Sequence, residues 1–215
     1  MKRITMVILM LLCAVIGFAQ NGVITELTGT VELKASGQAD FVPAKAGDTV
    51  ARDTVISTGF KSTALISAGS TVLAVRPLTR LSLSEISSSA GTEALNVNLQ
   101  AGRVRVDVKP PTGAKASMTV QSPTATASVR GTSFEFDTHS LTVLEGAVAF
   151  QGSQGGVMMV NAGSTSEVNA NGRSADPIQT YAAQLVPASP AGSEAGNRKE
   201  LTFVRGSVDF VLFFN

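Results

Sequence analysis

The sequence predicts an all-β fold of rolled or stacked antiparallel sheets, a β-sandwich or solenoid-like roll, with at most one short helix near residues 177–185. Three observations carry that expectation. Val, Thr, Ser, Ala and Gly dominate, with no Trp and a single Tyr, Tyr181, and β-branched side chains suit a half-buried pleated surface. Apolar and polar residues alternate with a period of two in many short runs, as strands do when one face is buried and the other is wet. One device also recurs four times: a glycine, any residue, a valine, any residue, then an apolar residue.

Taken in order, the first copy of the device is Gly29-Thr30-Val31-Glu32-Leu33, read as a glycine corner that launches a half-buried strand. Thr71–Val75 is nearly continuous in apolar side chains, which predicts a strand covered on both faces. Leu81-Ser82-Leu83 and Leu95-Asn96-Val97-Asn98-Leu99 alternate cleanly, and Val104-Arg105-Val106-Asp107-Val108 follows after Gln100-Ala101-Gly102. That short connection predicts a tight turn with the two runs side by side. Phe134-Glu135-Phe136 and Leu141-Thr142-Val143 flank a turn at Asp137-Thr138-His139-Ser140, and Gly146-Ala147-Val148-Ala149-Phe150 is a further copy of the device. The four copies begin at Gly29, Gly102, Gly146 and Gly206, spaced by 73, 44 and 60 residues. Such unequal spacing argues against a strict short-period solenoid.

Residues 169–198 are small, polar and rich in Pro, Ala, Gly and Ser, which reads as a linker holding the short helix. Strand pattern resumes over residues 199–215, with Gly206-Ser207-Val208-Asp209-Phe210 and a closing run too apolar to be left in water. A hairpin or strand that docks back on the main domain is the expected arrangement. A terminal aromatic strand is also a feature of outer-membrane barrel proteins, but the succession of lipid-facing strands that a barrel needs is missing from the pattern.

At the other end, Lys2 and Arg3 precede an apolar stretch over residues 4–18, and Gly17 and Ala19 place small side chains three and one residues before Gln20. This is the layout of a secretory signal cleaved between Ala19 and Gln20. About 15 apolar residues are short for a membrane span of about 20. Cys13 is the only cysteine, but Leu12 stands where a lipobox needs a small residue. Removal of residues 1–19 leaves a chain without cysteine, so neither a disulfide nor a thiolate site is available and packing alone holds the fold. It also leaves 15 basic residues against 16 acidic ones. Near-neutral charge argues against nucleic acid, which needs a concentrated basic surface.

The order of motifs resembles the FecR domain, a bacterial extracytoplasmic β-domain. The likeness covers about residues 22–168. It runs through Gly29-Thr30-Val31, Gly47-Asp48, Asp53-Thr54-Val55-Ile56-Ser57-Thr58-Gly59 and residues 62–75, then through residues 99–108. It continues in Thr119-Val120-Gln121-Ser122-Pro123-Thr124-Ala125, Val129-Arg130-Gly131-Thr132-Ser133-Phe134 and Val143-Leu144-Glu145-Gly146-Ala147-Val148. The Pro-Thr-Ala step followed by Val-Arg-Gly-Thr-x-Phe is its most specific part. One departure is Ala68 before Gly69-Ser70, where the family pattern has an acid or amide. The resemblance implies a relation to signal transducers that carry a cytoplasmic anti-sigma segment and one membrane span before this domain. Here only Met1, Lys2 and Arg3 precede the apolar stretch, so a FecR-like domain without the anti-sigma region is expected.

Candidate chemistry is sparse. Arg103, Arg105, Asp107 and Lys109 share the polar face of one predicted strand, with Lys115 close behind in sequence. This row suits an anionic glycan or headgroup, or else is a solvated sheet face. Asn96, Asn98 and Gln100 are expected on the adjoining strand, where their amides would add hydrogen bonds for a sugar. Arg130 of Arg130-Gly131-Thr132 either contacts a carboxylate or phosphate through its paired donors or caps a turn that Gly131 permits. His139, the sole histidine, is expected in a surface turn. One His and no Cys make a poor zinc site, and no Gly-x-Ser-x-Gly, Gly-x-Gly-x-x-Gly or phosphate loop is present. Neither cofactor nor metal is expected.

No pair of acids stands out for glycoside hydrolysis, which needs two suitably spaced carboxylates. These observations predict a non-catalytic FecR-like binding or scaffolding module of the bacterial envelope, in the periplasm or at the cell surface. Its partner would be an envelope protein or polymer, and its contact with membrane would be through the uncleaved signal only. A sensory component acting through a separate membrane protein is the alternative, and a carboxylate-based envelope hydrolase comes after it.

Overall fold

A computed structural model describes residues 21–89, 92–109, 113 and 115–177. The expected signal over residues 1–19 with its cut between Ala19 and Gln20, all but the first residue of the expected short helix near residues 177–185, most of the expected linker and the segment 199–215 lie outside the described residues.

The fold is a two-sheet stack, nearly all strand and not closed into a barrel. The chain threads sheets A and B alternately. Strand β1 (Gly22–Thr28) lies in A, β2 (Val31–Lys34) and β3 (Val42–Pro43) in B, β4 (Thr49–Val50) in A and β5 (Val55–Thr58) in B. A hairpin of β6 (Thr63–Ala68) and β7 (Thr71–Val75) follows in A, then one of β8 (Arg80–Ser89) and β9 (Thr92–Ala101) in B. Next come β10 (Arg103–Val108) in A, β11 (Lys115–Gln121) and β12 (Ala125–Val129) in B, and β13 (Ser133–Asp137) with β14 (Ser140–Glu145) in A. Strands β15 (Ala147–Gly152) and β16 (Met158–Asn161) return to B and β17 (Thr165–Glu167) to A. Across sheet A the order is β17-β14-β13-β10-β7-β6-β1-β4, and across B it is β16-β15-β12-β11-β9-β8-β5-β2-β3. Both rise almost steadily with sequence, so the chain rolls from one edge of the sandwich to the other.

Alternation explains the layers. In β10 the valines Val104, Val106 and Val108 are buried while Arg105 and Asp107 point outward, and in β9 Leu95, Val97 and Leu99 are buried between outward-facing residues. The inner faces of both sheets meet in one apolar cluster. Its bulkiest members are Phe134 and Phe136 of β13 and Phe150 of β15. Phe136 and Phe150 meet edge to face at 6.0 Å across the two sheets, a geometry worth about 1 kcal/mol beyond burial itself.

Four expectations are corrected. Gln100-Ala101-Gly102 is not a hairpin turn: the chain changes sheets there, and β9 and β10 lie in opposite sheets. Asn96, Asn98 and Gln100 therefore look out from sheet B, on the far side of the sandwich from β10. The antiparallel scheme has one exception, because β9 and β11 run parallel. Strand β10 carries the chain through sheet A between them, so it re-enters sheet B in the earlier direction. Thr71–Val75 is covered on one face only, with Val72 40% exposed. Among the described residues no third layer covers sheet A, and lone exposed valines are common on protein surfaces.

The hairpin at Gly69-Ser70, where the acid or amide of the family pattern is replaced by Ala68, recruits an acid from elsewhere. Glu93 of β9 accepts hydrogen bonds from Ser70 N at 2.8 Å and Ser70 Oγ at 2.5 Å, so a contact from the opposite sheet ties down the turn.

Candidate functional site

Each described copy of the glycine device is a point where the chain changes sheets. Gly29 leaves β1 for β2, Gly102 leaves β9 for β10 and Gly146 leaves β14 for β15, all with positive φ (75°, 87° and 75°). Under each glycine sits a buried hydroxyl residue that immediately precedes the strand paired with the one being left: Ser62 before β6, Thr79 before β8 and Thr132 before β13. At the second corner a methyl on Gly102 would meet Thr79 Cα at 2.5 Å and Leu78 O at 2.6 Å, so only glycine fits.

The hydroxyls also bond the chain as it turns. Ser62 Oγ accepts the Thr30 N–H at 2.8 Å. Thr79 Oγ1 accepts the Arg103 N–H at 3.0 Å and donates to Arg103 O at 3.0 Å. Thr132 departs from this: its methyl faces Gly146, and its buried Oγ1 has no hydrogen-bond partner among the described residues. The fourth copy, at Gly206, lies outside the described residues.

The most specific motifs of the family resemblance have similar work. Ser122 Oγ accepts the N–H of Ala125 at 3.0 Å and donates to Thr138 O at 3.0 Å, and Thr124 Oγ1 donates to the same carbonyl. The Ser-Pro-Thr-Ala turn of sheet B is thereby latched to the β13–β14 turn of sheet A. In Arg130-Gly131-Thr132, Gly131 takes φ 69°, and Thr132 O accepts the Val108 N–H at 3.1 Å.

The outer face of sheet A gathers charge. Arg103 Nη2 lies 3.3 Å from Asp137 Oδ2, Arg103 Nε lies 3.7 Å from Glu135, and Arg76 Nε is 3.8 Å from the same Glu135 oxygen. Arg105 pairs along its own strand with Asp107 at 3.4 Å. Register explains this convergence, since Arg103 stands opposite Asp137 and Arg105 opposite Glu135 on the neighbouring strand.

Of these, Arg76, Arg103, Glu135 and Asp137 line an open groove of about 900 Å³ at one end of the sandwich, with Leu78, His139 and Glu167. Asp137 Oδ1 accepts the N–H groups of His139 at 2.9 Å and Ser140 at 2.7 Å, so both its oxygens are engaged. His139 is in the turn expected, its Nδ1 2.9 Å from Thr138 Oγ1. Glu135 and Asp137 therefore serve as partners for arginines and turn amides. Among the described residues no group of three His, Cys, Asp or Glu is placed to hold a metal, and no helix is long and apolar enough to cross a membrane.

The structure brings Arg103, Arg105 and Asp107 together and leaves Lys109 exposed just past the end of β10. Lys115 opens β11 in the opposite sheet. Arg130 is also separate: it is exposed at the end of β12, beside a shallow depression lined by Met118 and Met159, and makes no ion pair or hydrogen bond among the described residues. Sequence reading missed Arg76, Glu135, Asp137 and Glu167 as members of the groove, and Ser62, Thr79 and Thr132 as corner residues. A hydroxyl residue just before a predicted strand was the available signal for the latter three.

Residues 54–149 match the family model described as FecR protein. No curated protein matches the chain. Two crystal structures, each described as a candidate anti-sigma factor from Parabacteroides distasonis, are similar to it. One is 18% identical with a TM-score of 0.46, covering 60% of this chain and 64% of that one. The other is 20% identical with a TM-score of 0.47, covering 56% and 57%. The chain spans less than two thirds of the length of either structure. The Gly102 and Gly146 corners and the Ser-Pro-Thr-Ala latch all fall within the stretch that matches the FecR model.

Proposed function

We propose that this protein is a non-catalytic binding or scaffolding module of the bacterial envelope, exported to the periplasm or cell surface, which engages an envelope protein or polymer through the groove of sheet A. The observation that carries this reading is a division of labour. The motif residues of the FecR domain are spent on corners and on the latch between sheets, while the groove collects Arg76, Arg103, Glu135 and Glu167 on an accessible face. Mixed charge in an open polar groove suits a partner that carries both signs, because exchange of ion pairs contributes specificity more than raw affinity. The engagement of both Asp137 oxygens and of Glu135 favours recognition over proton transfer, in keeping with a family that is not enzymatic. Incubation of the purified chain with envelope fractions tests the proposal. Specific retention of one component is expected; recovery of nothing above background contradicts it.

A second reading is a sensory component that relays an extracytoplasmic signal through a separate membrane protein. The FecR match over residues 54–149 favours it, through the resemblance to signal transducers. It predicts that deletion changes the transcription of a defined gene set, and unchanged transcripts would dispose of it.

A further inference from the structure

We propose that the open edge of β16 is the docking site for the chain's own residues 201–214, which add a fourth sheet-changing corner and a further strand to sheet B. Three independent features converge on this.

The first is the sequence around each corner. Counting from the glycine, the described copies bury the residues at −5 (Ile24, Val97, Leu141), +2 (Val31, Val104, Val148) and +4 (Leu33, Val106, Phe150). Two of the three also bury −3, as Leu99 and Val143. Around Gly206 those positions hold Leu201, Phe203, Val208 and Phe210. The fourth copy thus repeats the apolar pattern on both sides of its glycine, which a chance Gly-x-Val would not.

The second feature is the state of the edges. Of the four edge strands among the described residues, β3 ends in Pro43, which has no N–H to offer, and β4 has two residues. Strand β17 is partly covered, since Ala175 N–H donates to Glu167 O at 2.7 Å and Val168 bridges Ser174. Strand β16 has four residues and, among the described residues, no strand on its far side. Ala162 N–H bonds to Gly146 O. Antiparallel partners alternate in direction, so Met159 and Asn161 aim their N–H groups at the open edge. Exposed Val157 (63%) and Met159 (56%) lie along it. A bare, partly apolar edge invites pairing.

The third feature is direction. The roll grows by neighbours, and β15, β16 and β17 are its last described strands. Residues 178–200 separate Pro177 from Leu201, about 75 Å when extended, which is ample to return to β16. A corner at Gly206 places residues 201–205 on the sheet A side and residues 208–214 along β16.

Residue-resolved hydrogen exchange on the full chain tests this, comparing the unaltered protein with Val208→Asp/Phe210→Asp. The N–H groups of Met159 and Asn161 are expected to exchange slowly in the unaltered monomer and about tenfold or more faster in the variant, while those of Val97 and Val106 in the core stay protected in both. If the double variant fails to fold, Gly206→Val, which blocks only the corner, is read the same way. Fast exchange at Met159 and Asn161 in the unaltered protein, or equal rates in both proteins, would overturn the proposal. So would protection found only at concentrations where the protein is dimeric, since the occupant would then be a second copy.

Discussion

The corners and the outer face of sheet A both rely on polar side chains, but to opposite ends. At the Gly102 corner, Thr79 is 1% exposed and its hydroxyl both accepts from and donates to the backbone of Arg103. Across the groove, the Arg103 side chain is 55% exposed, pairs with Asp137 and shares Glu135 with Arg76. A buried hydrogen bond costs its full desolvation penalty when one partner is removed, whereas an exposed ion pair is worth about 0–1 kcal/mol. The difference teaches which residues build the sandwich and which remain free to meet something else.

That contrast is breakable. The largest loss is expected at the corner itself: Gly102→Val forces a β-branched residue to φ 87° against the backbone of Leu78 and Thr79. It should cost about 3 kcal/mol or more, read as a drop in the urea midpoint or failure to express folded. Thr79→Val keeps the shape but strands the Arg103 N–H, and about 1–3 kcal/mol should be lost in the same titration. Arg103→Ala, which removes two exposed ion pairs, should cost no more than about 1 kcal/mol. A loss as large as that of Thr79→Val would place the groove in the structural class and blur the comparison.

The smallest effect sharpens it most. Thr132 occupies its corner as Thr79 does, yet its Oγ1 is buried without a partner among the described residues. Thr132→Val should therefore be neutral or stabilising by up to about 1 kcal/mol. Two identical substitutions at equivalent corners would then differ by the worth of one hydroxyl's hydrogen bonds.

Local signals in the sequence carried the strands and the corners. Period-two runs such as residues 95–99 and 104–108 announce one buried face because alternation is a property of neighbouring residues. A glycine two residues before a valine likewise marks a local turn. What it does not announce is whether the chain folds back within one sheet or crosses to the other. Gln100-Ala101-Gly102 is compatible with both, and packing of Gly102 on Thr79, more than twenty residues away, decides. The site was half legible for the same reason. Arg103, Arg105 and Asp107 share a strand, but Glu135 and Asp137 join them only through the register of β10 on β13. Arg130 follows the same motif-rich stretch and ends up beside the other sheet, because Gly131 is the point where the chain crosses.

The claim that the groove recognises a partner while the corners hold the fold is tested most directly by Arg76→Gln/Arg103→Gln, measured for melting and for retention of the envelope component captured by the unaltered chain. Melting within a few degrees of the unaltered protein, as expected for about 1 kcal/mol, together with loss of retention, is the predicted result. Full retention by a protein that melts normally would contradict it.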